Sequence, residues 1–252
     1  MNIVVCVKQV PDSAAKVTAT NGQASWGDAP LVLNPWDEYA VEAALSQGGA
    51  VTVLSMGDEN AHEALKHSLA MGCKQAILVS DPALANADSQ ATARVLAAAI
   101  RKIGGVELAL FGKQAIDGDG GVTAAQTARA LGWPILSLAS TIESNGSSIK
   151  VERAIEEGRQ MVESKLPAVV SVVKDIGEPR YPSFMGIRKA SRAKIPTWTL
   201  ADLGISAPAP AVEWPEIMNP PSKEVVCELI EGSTPEEIAA TLADKLLAEK
   251  VI

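Results

Sequence analysis

Histidine, cysteine and positive charge are all scarce in this sequence, and each scarcity argues against a class of function. Only two histidines occur in 252 residues. His62 and His67 stand five positions apart, so they do not share one helix face and make a poor metal pair. The three cysteines, Cys6, Cys73 and Cys227, are widely separated. That spacing suits neither a zinc site nor a disulfide framework, and it fits a reducing compartment in which Cys6 is a small core residue. Lysine and arginine number 22 against 30 acidic residues, for a net charge of -8, which argues against a broad nucleic-acid-binding surface. No apolar run reaches the length of a membrane span. The opening "MNIVVCVKQVPD" has a short apolar run before Lys8 and Pro11, so it reads as a first strand rather than a signal peptide, and a cytoplasmic location is expected.

What the chain does have is a strong apolar alternation. Hydrophobic residues make up 47%, enough for a substantial core. Runs rich in valine and isoleucine at 2–7, 50–55, 75–79, 106–111 and 135–138 read as strands, and helical patterns lie at about 37–45, 60–70, 89–100 and 123–131. Strands without strict alternation are covered on both faces. The expected fold is therefore an α/β, doubly wound, mostly parallel sheet with covering helices. Ligands in such folds sit beyond the carboxyl ends of the strands, where strand order reverses. The stretch 13–34 is an excursion before the first clear helix, which Pro35 and Asp37 help to start.

Past residue 139 the pattern changes. Residues 148–165 read as a hairpin turning near Glu157 and Gly158, followed by an apolar strand at 168–173. Residues 175–194 show little periodicity and read as a loop, 204–225 are proline-rich and extended, and a last helix begins after Ser233 or Thr234. Its Ile238, Leu242, Leu246 and Leu247 recur at helical spacing and need a surface to cover them. The expected organisation is an α/β nucleotide-binding domain over 1–206 and a C-terminal arm and helix over 207–252.

One turn concentrates the chemistry. In "LFGKQAIDGDGGVTAAQTARALG", residues 110–132, a strand passes to a helix through four glycines and two aspartates. Backbone N–H groups in such a turn can surround an anion. Asp117 and Asp119 pull the other way, because a carboxylate beside a phosphate is repulsive unless it binds ribose, caps a helix or works through a metal. From the residues alone, a nucleotide loop and a helix-capping turn both stand. No Lys-Ser/Thr pair follows the glycines, so this is not a P-loop, and it is not the dinucleotide fingerprint. No nucleophile set or catalytic acid pair accompanies it.

The chain resembles the beta subunit of electron transfer flavoprotein along essentially its whole length. The resemblance rests on "CVKQVPD", "LNPWDEYAVEAAL" at 33–45, "GKQAIDGDGG" at 112–121, "VERAIEEGRQMVESKLPAVVSV" at 151–172 and "EPRYPSFMGIRKA" at 178–190. It implies a heterodimer with an alpha subunit that holds most of the FAD, while this subunit holds AMP. The implied pocket comprises Cys6, Asn34, Pro35, Trp36, Asp37, Met56 and the loop of Gly112, Lys113, Gln114, Ala115, Ile116, Asp117, Gly118, Asp119, Gly120, Gly121, Val122 and Thr123. Trp36 and Ser13 occupy positions that approach the flavin in relatives, although a tryptophan before a helix also packs as a hydrophobic staple. The resemblance further implies that Phe184, with Met185, Arg188 and Lys189, recognises flavin dehydrogenase donors, and that electrons leave to a quinone-reducing or other redox acceptor. The reactive chemistry would then be the flavin's.

Two other functions bear on the same residues. An adenine-nucleotide-binding regulatory module of the same α/β plan would use residues 1–135 and leave the hairpin, the Phe184 segment and the arm idle. A subunit that bifurcates electrons would carry a second FAD in place of AMP. Such members typically continue the turn as "DGDTAQVGP", whereas this chain continues "DGDGGVTAAQTA", which favours AMP.

Overall fold

The structure is a computed structural model that describes residues 1–221 and 227–251. Residues 222–226, which include the last part of the stretch expected to be proline-rich and extended, lie outside the described residues, as does residue 252. The chain divides into two compact units, Met1–Ile217 and Met218–Ile252.

In the first unit β1 (Asn2–Cys6) and β2 (Gln9–Pro11) lead into the excursion, which is a small hairpin of β3 (Thr18–Thr20) and β4 (Gln23–Ser25) followed by β5 (Leu31–Leu33). β5 pairs antiparallel with β2, so the excursion returns to its starting point. Alternation then proceeds through α1 (Pro35–Ser46), β6 (Ala50–Met56), α2 (His62–Met71), β7 (Gln75–Val79), α3 (Ser89–Ile103), β8 (Leu108–Gly112) and α4 (Thr123–Leu131). β9 (Ile135–Ser144), β10 (Ser148–Ile155) and β11 (Gly158–Lys165) form an antiparallel meander. β12 (Ala168–Val172), α5 (Phe184–Ala190), β13 (Thr197–Trp198) and α6 (Leu200–Leu203) complete the unit, and α7 (Pro235–Ala248) lies in the second.

Nine strands share one sheet in the order β11-β10-β9-β12-β8-β1-β6-β7-β13. From β9 to β13 every neighbouring pair is parallel. The chain builds outward from β1 through β6 to β7, then crosses back to β8 on the other side of β1. That reversal puts the topological switch point between β1 and β8.

The alternation of side chains along the central strands explains the two layers. Ile3, Val5 and Val7 join Leu108 and Leu110 in a core against α1 and α2, while Val4, Cys6, Ala109 and Phe111 face the core built by α3 and α4. Each buried valine or leucine contributes about 1.5–3 kcal/mol of transfer free energy, so the strands are held from both faces. Helix ends follow local chemistry. Asp88 Oδ1 accepts the Ala91 N–H at 2.7 Å to start α3, and Gly132, left-handed at φ 76°, ends α4.

Most expected elements are present with shifted ends. β9 runs on to Ser144 because it pairs with the hairpin as well as with β12. The main difference lies in 175–194, expected as a loop, which contains α5. Ser183 Oγ accepts the Gly186 N–H at 2.9 Å as its cap, and Ala190 is buried. The arm is tied to the first unit: Asp88 Oδ2 accepts the N–H groups of Ala211 and Val212, and Ile217 N–H donates to the Gly22 carbonyl. In α7, begun by Thr234, Ile238, Leu242 and Leu247 are exposed. Among the described residues, no helix is long and apolar enough to cross a membrane.

Candidate functional site

Because β1 and β8 are adjacent and their continuations part, the segments after Cys6 and after Gly112 border one crevice. The start of α1 closes it from a third side. Asn34, fully buried, is the residue before α1, yet its side chain does not cap that helix. It reaches across 80 positions instead: Nδ2 donates to the Gln114 carbonyl at 2.8 Å, and Oδ1 accepts the Ile116 N–H at 3.2 Å. Its own N–H donates to the Lys8 carbonyl at 2.9 Å. One side chain thus fixes the path of the loop after β8 relative to α1.

Asp37 makes the complementary attachment. Its Oδ2 accepts the Lys8 N–H at 2.7 Å, and its Oδ1 accepts the Gly112 N–H at 3.3 Å. Burial raises the Asp37 carboxyl to about 7, against the lowering effects of the Lys8 N–H, the Asn34 side chain, the Gly112 N–H and the Lys8 charge. The Cys6 thiol, buried among the α3 and α4 core residues, is pushed well above its ordinary value by burial and then by the Asp37 charge. It stays a neutral packing group at the crevice floor. Close approach explains Gly112: a Cβ there would lie 2.5 Å from Asp37 Oδ1 and 2.6 Å from the Trp36 carbonyl.

Both carboxylates of the loop have partners within the chain, one charged and one neutral. Lys8 Nζ lies 2.6 Å from Asp117 Oδ2, and Gln114 Nε2 donates to Asp119 Oδ1 at 2.6 Å. Neither aspartate caps α4, which starts after Val122 with no side-chain cap. The reading of this turn as a mere helix cap therefore has no support in its hydrogen bonds. Asp119 and Gly121 adopt positive φ of 48° and 62°, and a Cβ on Gly118 or Gly120 would meet nothing within 4 Å. The turn is folded by its own polar contacts, among them the N–H groups of Gly118 and Asp119 donating to the Ala115 carbonyl, and it leaves open space beside Gly118 and Gly120. One turn into α4, Gln126 Oε1 is buried without a hydrogen-bond partner. An uncapped helix start, open glycine backbone and an unsatisfied acceptor suit a small polar ligand bearing an anion.

The remaining expected residues fall around this centre or away from it. Pro35 is the first residue of α1, and Thr123 the first of α4. Met56 ends β6 and packs, partly buried, on the α3 and α4 side. Trp36 packs against Tyr39, ring centroids 6.4 Å apart, and lies under Lys113 Nζ at 5.4 Å from its ring. Ser13 is exposed in the turn following β2.

A second polar staple lies at the far end of α1. Arg180 Nε and Nη2 donate to the two oxygens of Glu42 at 2.7 Å each, and the Arg180 N–H donates to Oε2 at 3.0 Å. The Arg180 hydrogen bonds hold the Glu42 carboxyl below its ordinary value despite partial burial. Beyond Arg180, α5 lies against α2 so closely that a Cβ on Gly186 would collide with the Ala70 carbonyl oxygen. Between the two attachments Tyr181, Phe184 and Met185 are 95%, 79% and 68% exposed. Phe184 is not folded onto its own domain, and Arg188 and Lys189 are exposed on the same short helix. Sequence reasoning passed over Lys8, Glu42 and Arg180 as structural partners, although Lys8 and Arg180 lie inside the motifs "CVKQVPD" and "EPRYP".

Comparison with known proteins agrees with this architecture. Residues 27–203 match the electron transfer flavoprotein domain. The chain is 36% identical over 272 residues to the electron transfer flavoprotein subunit beta of Megasphaera elsdenii, and 37% identical over 263 residues to the caffeyl-CoA reductase-Etf complex subunit CarD of Acetobacterium woodii, with both chains fully covered in each case. It is 40% identical over 215 residues to the subunit beta of Mycobacterium leprae, covering 81% of each chain. A domain match over most of the chain, together with full-length relatives, places this protein in the electron transfer flavoprotein family, as a beta subunit.

Proposed function

We propose that the chain pairs with an alpha subunit to form a cytoplasmic heterodimer that carries electrons on FAD from flavin dehydrogenases to a quinone-reducing or other redox acceptor, and that this subunit holds a structural AMP in the crevice between β1 and β8. The observation that carries the nucleotide reading is the loop at 112–123: it lies at the switch point, both of its carboxylates are engaged within the chain, and its open glycine backbone runs into an uncapped helix. The N–H groups of Gly120, Gly121 and the first turn of α4 would hold the phosphate, those of Gly118 and Asp119 being taken by the Ala115 carbonyl, and Asn34 and Asp37 keep the loop in register with α1. FAD, when bound, supplies the redox chemistry, and Trp36 is the residue proposed to lie nearest to it. The chain's own residues bind, orient and exclude water.

Phe184 and Met185 on α5 are proposed to enter a donor's surface, with Arg188 and Lys189 steering an acidic partner. The exposed apolar stripe of α7 is proposed to pack on the alpha subunit. By name, the Acetobacterium relative is itself a subunit of a reductase-Etf complex.

The test is co-expression with the alpha subunit, denaturation of the purified complex and chromatography of the released nucleotides. One FAD and one AMP per heterodimer is the expected result. Two FAD and no AMP would replace this reading with the bifurcating one, and AMP without FAD would favour the regulatory module.

A further inference from the structure

Lys8 touches all three walls of the crevice. It leaves β1, its N–H and carbonyl bind the Asp37 side chain and the Asn34 N–H, and its ammonium reaches the glycine loop at Asp117. The environments of that last pair differ. The Lys8 side chain is 51% exposed, whereas the Asp117 side chain is only 16% exposed, although Asp117 as a whole residue is exposed. A partly shielded carboxylate within a turn that is to accept an anion opposes that anion unless it is neutralised, and close charges under partial burial interact more strongly than in water.

We propose that Lys8 is a positioning residue for the nucleotide phosphate, acting through Asp117: its ammonium cancels the Asp117 charge, so that the loop's N–H groups meet an anion without a repelling carboxylate beside them. This rests on the nucleotide reading given above. Lys8 is thereby distinguished from a lysine that binds phosphate itself. Its ammonium is committed to the carboxylate, and removing both charges together leaves the loop as receptive as before.

The experiment measures AMP binding by calorimetry to the alpha–beta complex stripped of nucleotide, for the parent, Lys8→Met, Asp117→Asn and the double variant. Lys8→Met should weaken AMP about tenfold or more, since an uncompensated charge is left beside the phosphate. Adding Asp117→Asn should restore affinity to within about threefold of the parent, a coupling that separates compensation from direct contact. Asp117→Asn alone should tighten AMP, because the lysine is then left unopposed. That arm keeps the idea testable if Lys8→Met folds poorly. A double variant as weak as Lys8→Met overturns the proposal, since Lys8 would then contact the anion itself. Unchanged affinity in Lys8→Met overturns it, and so does an Asp117→Asn variant that binds AMP more weakly than the parent, which would make the pair only a structural latch. A parent complex that binds no AMP removes the nucleotide reading, and this proposal falls with it.

Discussion

The crevice between β1 and β8 and the surface around Phe184 are both rooted on α1, but they are built in opposite senses. At the N-terminal end of that helix, Asn34 and Asp37 are buried and turn polar groups inward, onto backbone N–H and C=O groups of distant segments. At the other end, Glu42 and Arg180 hold a segment whose apolar side chains turn outward. A buried polar group must be satisfied, so the first region has a fixed shape suited to a small charged ligand. An exposed aromatic anchored on both flanks loses little further freedom on binding, which suits a protein surface. One helix thus anchors both the proposed small-molecule site and the proposed docking surface, and the polar bonds at its two ends are separate.

That separation is open to several tests. The largest effect is expected for Gly112→Val, where a Cβ would collide with Asp37 Oδ1 and the Trp36 carbonyl. A loss of about 3 kcal/mol is expected, read as a lower urea midpoint, together with loss of bound nucleotide. A variant as stable as the parent would show that the walls of the crevice are not closely fitted.

Next comes pH. Because the folded Asp37 carboxyl is raised from 3.8 to about 7, its contribution to stability is fully present below its unfolded value and is lost as pH rises through 7. Between pH 5 and pH 7 the parent should lose about 2 kcal/mol more than Asp37→Asn, measured by denaturant unfolding at a series of pH values. Parallel pH profiles would show that the carboxyl is not raised.

Phe184→Ala should weaken donor docking by about 2 kcal/mol, roughly thirtyfold, with unchanged flavin content and melting temperature. Stopped-flow reduction at subsaturating donor gives the rate. Unchanged donor kinetics would exclude the docking role, and lost stability would make Phe184 a packing residue. The smallest effect is expected from Arg180→Met. Breaking the fork should cost about 1.5 kcal/mol and speed proteolysis near Tyr181. Its signature is a flattened acid limb, because a carboxyl held below its unfolded value stabilises at neutral pH and loses that contribution as pH falls. If nucleotide content fell with it, the two ends of α1 would be coupled rather than independent.

The sheet was legible because parallel strands buried on both faces leave continuous valine and isoleucine runs, and helices between them end at glycines. β3, β4 and β13 are two or three residues long and carry no periodicity. α5 was hidden for a related reason: seven residues make barely two turns, it follows Pro182, and its Ser183 cap and Gly186 contact take meaning only once α2 lies beside it. At the site, the glycine loop could be found as a contiguous motif. The bonds that hold it could not, since Asn34 meets the loop across 80 residues and Lys8 meets Asp117 across 109. The charge of "DGD" argues against an anion in the sequence, and only the fold brings Lys8 to Asp117 and the Gln114 amide to Asp119.

The most direct test of the central claim is hydrogen exchange by mass spectrometry on the alpha–beta complex, stripped of nucleotide and then refilled with AMP. The amides of residues 120–124 should slow markedly on refilling while those of 181–190 stay unchanged. Protection that appears elsewhere, with the loop after β8 exchanging as fast as before, would contradict the assignment of the crevice.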